Sequence, residues 1–258
     1  MPRKDVFTMK KFAGKVVLVT GAGHGIGKQI ALQFAQEGAN TVIVDYNEET
    51  GSQTAAELTK DYEKSLFVKA DVSSLEAMKN VREKVFETFG RIDTLVLDAG
   101  IAIKHKFGDI SLDEWHKTMA INLDGLFTTV QAFYNDFLTN KGSIVYISSG
   151  SALSGTGGSV AYASSKAAGE GMIRGLAKEL GPLGVNVNAI APRLIDTGAM
   201  MRVNYPTQAD LDAVLQKIPV RRFGNVRDVA NLAVFLADKE NSYIQGQTIL
   251  VDGGRTIA

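Results

Sequence analysis

Short apolar runs alternate along this chain with longer stretches of helical period. "KVVLVTG", "TVIVDY", "SLFVKAD", "DTLVLDAG", "GSIVYISS", "GVNVNAIAP" and "QTILVDGG" are continuous in Val, Ile and Leu, and they end in small or acidic residues. A strand covered on both faces needs such a run, because neither side of it meets water. The pattern therefore predicts seven buried strands. Between them, capping boxes announce helices: Ser73 with Glu76, and Ser111 with Glu114, pair a hydroxyl with a carboxylate that satisfies orphan backbone donors. Alternation of this kind builds βαβ units. The expected architecture is an α/β fold, a Rossmann-type doubly wound, seven-stranded parallel sheet with helices on both faces. Ligands of such sheets sit at the carboxyl ends of the strands, near the reversal of strand order.

Composition narrows the picture. The 258 residues, 45% of them hydrophobic, show no repeat and no Pro/Gly-rich linker, so 1–258 reads as a single domain. Lys+Arg and Asp+Glu balance at 28 each, which argues against nucleic acid or an anionic membrane as partner. The absence of cysteine excludes disulfides, zinc-thiolate sites and a thiol nucleophile. His24, His105 and His116 have no metal-ligand spacing, and no metal is implied. The basic start "MPRKDVFTMKKF" precedes an apolar run, Val16 to Val19, too short for a secretory core, so a cytoplasmic location is expected.

Candidate chemistry gathers at the strand ends. "TGAGHGIG", residues 20 to 27, follows the first strand and opens a helix, and glycines at Gly21, Gly25 and Gly27 let the backbone approach a pyrophosphate at that helix's positive end. Its spacing is not the common G-x-G-x-x-G, and a glycine-rich loop alone is often just a tight turn. Asp45 ends the second strand, where a carboxylate accepts from adenosine ribose hydroxyls and repels a 2′-phosphate. NAD is thus expected over NADP, with His24 able to offset some repulsion if protonated. In "AYASSKAAGEG", Tyr162 and Lys166 stand four residues apart and project from one helical face. Such a pair arises readily by chance; its company decides its meaning.

The ordered set resembles the short-chain dehydrogenase/reductase family, in its compact form, from about Lys15 to Gly254. "TGAGHGIG" resembles the family's T-G-x-x-x-G-x-G turn, "ADV" (Asp71, Val72) its adenine-contacting pair, and "DAG" (Asp98, Ala99, Gly100) its Asn-Ala-Gly. The resemblance implies a catalytic tetrad of Asn122, Ser149, Tyr162 and Lys166, with Ser149 preferred to Ser148 because it lies thirteen residues before the tyrosine. It also implies that Gly21, His24, Gly25, Ile26, Gly27, Asp45, Tyr46, Asp71, Val72, Asp98, Ala99 and Gly100 hold the cofactor, joined by Tyr162, Lys166, Pro192, Ile195 and Thr197. In such an enzyme the tyrosine is the acid/base. A phenol's pKa near 10 suits neutral pH poorly, and a neighbouring Lys166 cation would draw it down. Ser149 would hydrogen-bond the substrate oxygen, and Asn122 would support a water linking the lysine to solvent.

Two positions depart from the pattern. Leu97 and Asp98 replace the family's Asn-Asn, which puts a carboxylate beside the cofactor site and places cofactor affinity in question. Arg193 replaces the glycine of the loop "APRLIDTG", where φ > 0 would be cheap, and is expected to reach either an anionic group or, more simply, solvent.

The segment 193–224 fits a substrate lid, in which Met200, Met201 and Tyr205 offer adaptable contact, with Ser151, Leu153 and Lys104 or His105 also expected near the substrate. The expected activity is NAD-dependent interconversion of a secondary alcohol and a ketone, the substrate being a polyol, sugar-like or other hydroxy compound. A 3-oxoacyl thioester reductase is the alternative, as is a non-catalytic dinucleotide sensor or scaffold. The likeness of the last strand implies a homotetramer.

Overall fold

The computed structural model describes residues 10–198, 205 and 207–257. The seven apolar runs form β1 (Val16–Thr20), β2 (Asn40–Asp45), β3 (Ser65–Lys69), β4 (Thr94–Leu97), β5 (Ser143–Ile147), β6 (Asn186–Pro192) and β9 (Thr248–Val251). They make one sheet in the order β3-β2-β1-β4-β5-β6-β9, every neighbouring pair parallel. The chain steps outward from β1 to β3, crosses back to β4, and steps outward the other way. The reversal therefore opens a crevice between the carboxyl ends of β1 and β4.

Each strand feeds two apolar layers, which is why its sequence does not alternate. Val16 and Leu18 of β1 enter one layer, with Met78 and Val81 of α3 (Leu75–Phe89), Phe133 and Phe137 of α5 (Gly125–Asn140), and Ile173 of α7 (Val160–Leu180). Val17 and Val19 enter the other, with Ile30 and Phe34 of α1 (Gly25–Gln36), Leu58 of α2 (Glu48–Asp61), and Val229 and Leu236 of α9 (Val226–Ala237). Each such fully buried side chain stabilises the fold by about 2 kcal/mol, so the two layers hold the strand ends rigid beneath the site.

The capping box at Ser111 and Glu114 opens α4 (Leu112–Met119) as expected. At α3 the expectation is corrected: Ser74, not Ser73, is the N-cap, accepting from the Ala77 N–H. Ser73 is used elsewhere, because the Asp71 carboxylate takes both its N–H (2.9 Å) and its hydroxyl (2.7 Å) in a local turn. A two-stranded ladder of β7 (Ile195–Asp196) and β8 (Gly224–Asn225) was not foreseen. It fastens the loop after β6 to the entry of α9. A helix at Gln208–Leu215, α8, lies within the segment expected to be the lid. Met200 and Met201 lie outside the described residues. Among the described residues no helix is long and apolar enough to cross a membrane.

Candidate active site

The turn out of β1 is built by its glycines. Gly21 (φ +69°) and Gly25 (φ +58°) occupy left-handed conformations that side-chain-bearing residues adopt at a cost. Gly27 is needed for space: a Cβ there would stand 2.5 Å from the Gly21 carbonyl and 2.8 Å from Asp98 Oδ2. His24 occupies the N-cap position of α1, and no side chain caps that helix end. The Thr20 hydroxyl accepts the N–H groups of Asp98 (3.1 Å) and Ala99 (3.2 Å), tying the ends of β1 and β4 together.

Asp45 braces the turn from β2. Its Oδ2 accepts the Gly23 N–H at 2.8 Å and its Oδ1 the Asn47 N–H at 2.9 Å. Each carboxylate oxygen keeps a further lone pair for a ligand hydroxyl. A cavity of about 500 Å³ runs along this edge, lined by Gly21, His24, Asp45, Tyr46, Asp71, Val72, Ala99 and Gly100. Among the expected contacts from β1 to β4, Gly25, Ile26, Gly27 and Asp98 do not line it: Ile26 packs against the α1-side core, and the half-buried Asp98 sits behind Gly27. The Thr197 methyl carbon lies 4.0 Å from the Cβ position of Gly25, so the loop after β6 overhangs the turn. An uncapped helix end, a backbone turn stripped of side chains and a strand-end carboxylate along one groove fit a dinucleotide.

Beyond the groove, α7 carries the reacting side chains. Ser159 caps that helix by accepting from the Tyr162 N–H, and the following turn presents Tyr162 and Lys166 on one face. The Tyr162 phenol and the Ser149 hydroxyl at the end of β5 line the same cavity wall, and the serine favours the phenolate. Ser148 faces elsewhere, donating to Glu170 Oε1 at 2.7 Å, so of the two serines only Ser149 meets the phenol. Lys166 is 4% exposed; its Nζ donates to the Ile147 carbonyl (2.8 Å) and sits 5.1 Å and 5.9 Å from the Tyr146 and Tyr162 ring centroids. Asn122 lies in a π-helical turn, Ala120–Asp124, and is buried. Its Oδ1 accepts the Ile101 N–H (2.8 Å), and its Nδ2 donates to the Ile101 carbonyl (3.0 Å) and Ser165 Oγ (3.0 Å). It thereby clamps the loop after β4 against α7. Gly100 fills the gap, since a Cβ there would come within 3.2 Å of Asn122 Oδ1 and 3.4 Å of Lys166 Nζ.

The electrostatics differ from expectation. Burial pushes the Tyr162 pKa up; the Ser149 hydroxyl opposes this and the Asp98 charge adds to it. Lys166 donates to the Ile147 carbonyl, and burial lowers its own pKa to about 8, with Asp98 partly restoring it. Burial likewise raises the Asp98 carboxyl to about 6, against the lowering effects of Lys166 and the Gly27 N–H. The Asp98 charge thus acts on both the lysine and the phenol.

A second cavity, about 750 Å³, opens over Tyr162 and Ser149, with Lys104, His105, Ser151, Pro192, Arg193, Ile195 and Tyr205 in its walls. Leu153 is 68% exposed and lies outside it. Arg193 is the larger correction: rather than pointing to solvent, it lies across Gly150, where an added Cβ would meet Arg193 Cβ at 2.9 Å. Its guanidinium donates to the hydroxyls of Thr156 (2.9 Å) and Thr256 (3.2 Å). The left-handed non-glycine residue of the loop is Leu194 (φ +57°), not Arg193. Arginine therefore replaces glycine here without backbone strain of its own.

Known proteins share this chain's sequence and fold. The family model described as enoyl-(acyl carrier protein) reductase matches residues 21–256. The (2S)-((R)-hydroxy(phenyl)methyl)succinyl-CoA dehydrogenase subunit BbsD of Thauera aromatica is 37% identical over 94% of this chain and 97% of its own length. The 3-oxoacyl-(acyl-carrier-protein) reductase FabG of Thermotoga maritima is 38% identical over 96% of this chain and 100% of its own. A crystal structure of NAD+-bound xylitol dehydrogenase matches with a TM-score of 0.89 at 29% identity, covering 95% of this chain and 100% of that one. With the glycine turn, the strand reversal and the Tyr162–Lys166 helix already in place, these likenesses make the chain a member of the short-chain dehydrogenase/reductase family, whose members are nicotinamide-dependent oxidoreductases.

Proposed function

We propose that the protein is an NAD(H)-dependent oxidoreductase that interconverts a secondary alcohol and a ketone, with Tyr162 as acid/base. The observation that carries this reading is that Tyr162 and Ser149 share the wall of one cavity, backed by Lys166 and adjoining the glycine-built groove. The groove residues named above would hold the cofactor, with Pro192, Ile195 and Thr197 toward its nicotinamide end. When bound, an oxidised nicotinamide supplies the hydride acceptor and a positive charge beside the phenol. Ser149 holds the substrate oxygen by its hydroxyl. Tyr162 takes the alcohol proton, or gives it back to the forming alkoxide in the reverse direction. Lys166 keeps the phenol oriented from behind, and Asn122 fixes the loop that closes over the lysine. The test is incubation with NAD and a panel of secondary alcohols, read at the reduced-nicotinamide absorbance; binding without turnover across the panel would support a sensor instead.

Cofactor choice rests on Asp45. Its carboxylate has open acceptor capacity for ribose hydroxyls and a charge that opposes a 2′-phosphate. Asp45→Asn keeps an oxygen for the Gly23 N–H but removes the charge. The expected result is a rise of about tenfold or more in the NADP/NAD ratio of kcat/KM, from loss of like-charge repulsion. An unchanged ratio would mean that Asp45 only braces the turn. The assembly expected is a homotetramer, supported by β9 at the sheet edge and by the exposed Phe235 and Tyr243; the expected location is cytoplasmic. Light scattering should then read about four times the 27.7 kDa chain mass.

A further inference from the structure

The whole chain carries equal numbers of cationic and anionic side chains, 28 of each. The cavity over Tyr162 does not share that balance. Lys104, Lys106, Arg193, Lys217 and Arg255 all stand in its walls, and no Asp or Glu does among the described residues. The wall residues of the cofactor groove include none of the five, so these cations do not serve the dinucleotide's adenosine end.

Among them Arg193 stands beside the residue that follows Ser149. Its stem lies against Gly150, the residue next to Ser149, and two threonine hydroxyls fix the guanidinium. A guanidinium has five N–H donors in a rigid fork, so bonding to Thr156 and Thr256 leaves a donor face for a planar anion. Asp252 lies within electrostatic reach and offsets part of the charge, but its carboxylate accepts the N–H groups of Gly254 (2.9 Å) and Thr256 (2.7 Å) and makes no hydrogen bond to the guanidinium. His105 is paired with Glu114 at 3.2 Å.

Building on the oxidoreductase reading, we infer that the substrate is a hydroxy or oxo carboxylic acid whose carboxylate docks on Arg193 while its reacting carbon faces Tyr162 and Ser149. A neutral polyol would leave the remaining guanidinium donors of this half-buried cation without a partner of matching shape. The remaining lysines and Arg255 raise the local concentration of anions at the mouth, an effect that salt screens. Arg193 thereby acts as a specificity residue, in a place where a glycine could supply no charge.

Two measurements test the inference separately from the oxidoreductase reading. The first needs no turnover: the NADH complex is titrated calorimetrically with cyclohexanecarboxylate, which has no reacting hydroxyl, and with cyclohexanecarboxamide. The carboxylate should bind at least about tenfold tighter, with the preference falling to near unity in Arg193→Gln and partly kept in Arg193→Lys, as expected for a forked charge-assisted contact. Equal affinities, or a preference that survives Arg193→Gln, would overturn the assignment. The second compares kcat/KM for 2-, 3- and 4-hydroxycyclohexanecarboxylates with their methyl esters, and for acetoacetyl-CoA. The acid should be favoured over its ester at the best ring position, and the substitution should abolish that preference. Preference for the CoA thioester over every free acid, undiminished in Arg193→Gln, would place anion recognition on the outer lysines and overturn the carboxylate site. Failure of all alcohols, acids and thioesters to turn over would refute the oxidoreductase reading while the titration still decided the anion site.

Discussion

Replacing Tyr162 with phenylalanine should lower turnover by about a thousandfold or more, the loss that follows when a positioned proton donor is removed. The ring stays, so the packing against Lys166 and the fold survive, and NADH affinity should change by no more than about threefold, the scale of one lost neutral hydrogen bond. Only the hydroxyl that meets Ser149 is gone. The measurement is kcat on the best alcohol or ketone, beside an NADH-binding isotherm of the same preparation. Turnover close to that of the unmodified protein would show that another group handles the proton. Ser149→Ala should cost less, about tenfold to a hundredfold, because it removes orientation and one stabilising donor but not the acid/base itself.

The second large effect concerns Asp98. Its carboxyl is pushed up to about 6 by burial, from an ordinary value of 3.8. The folded state therefore holds this proton more tightly than the unfolded chain does. The resulting stability is fully present below the unfolded value and is lost as pH rises through about 6. Asp98→Asn carries no such loss, so its stability advantage over the natural protein should be about 3 kcal/mol larger near pH 8 than near pH 4. In a chain of this size that corresponds to a widening of about 5 to 10 °C in the Tm difference. Kinetics supply a second readout. The Asp98 charge raises the Tyr162 pKa, so its removal should move the rising limb of the alcohol-oxidation pH profile to lower pH. A Tm difference that does not depend on pH, with an unshifted limb, would show that Asp98 is already neutral or is masked by Lys166.

The sheet was legible because its signal is local. A strand covered on both faces writes itself as an unbroken apolar run, and Val16 to Val19 fill both layers in turn. The glycines were legible for the same reason, since a left-handed turn leaves few residue choices at Gly21 and Gly25. What the sequence concealed depends on competition between neighbours or on partners distant along the chain. Whether Ser73 or Ser74 caps α3 is decided by the Asp71 carboxylate taking Ser73 for its own turn. The π-helical turn that swings Asn122 inward is fixed by Ile101 and Ser165, each reached only after folding.

At the site the same division holds. The i, i+4 spacing put Tyr162 and Lys166 on one helical face, but the sign of the phenol's shift depends on burial and on Asp98, neither visible in that spacing. Arg193 looked like a surface cation because its neighbours in sequence say nothing of Gly150, Thr156 and Thr256. A basic residue in a position where its family keeps glycine was the one signal that could have pointed to the cavity wall.

The central claim is that the groove beside Asp45 and the cavity over Tyr162 form one oxidoreductase site. It is tested most directly with a secondary alcohol deuterated at its carbinol carbon and incubated with the protein and NAD. The account predicts that the recovered reduced nicotinamide carries the deuterium on one face of its ring, and that Tyr162→Phe slows the transfer without changing that face. Reduced nicotinamide without the label, formed while the alcohol is consumed, would contradict it.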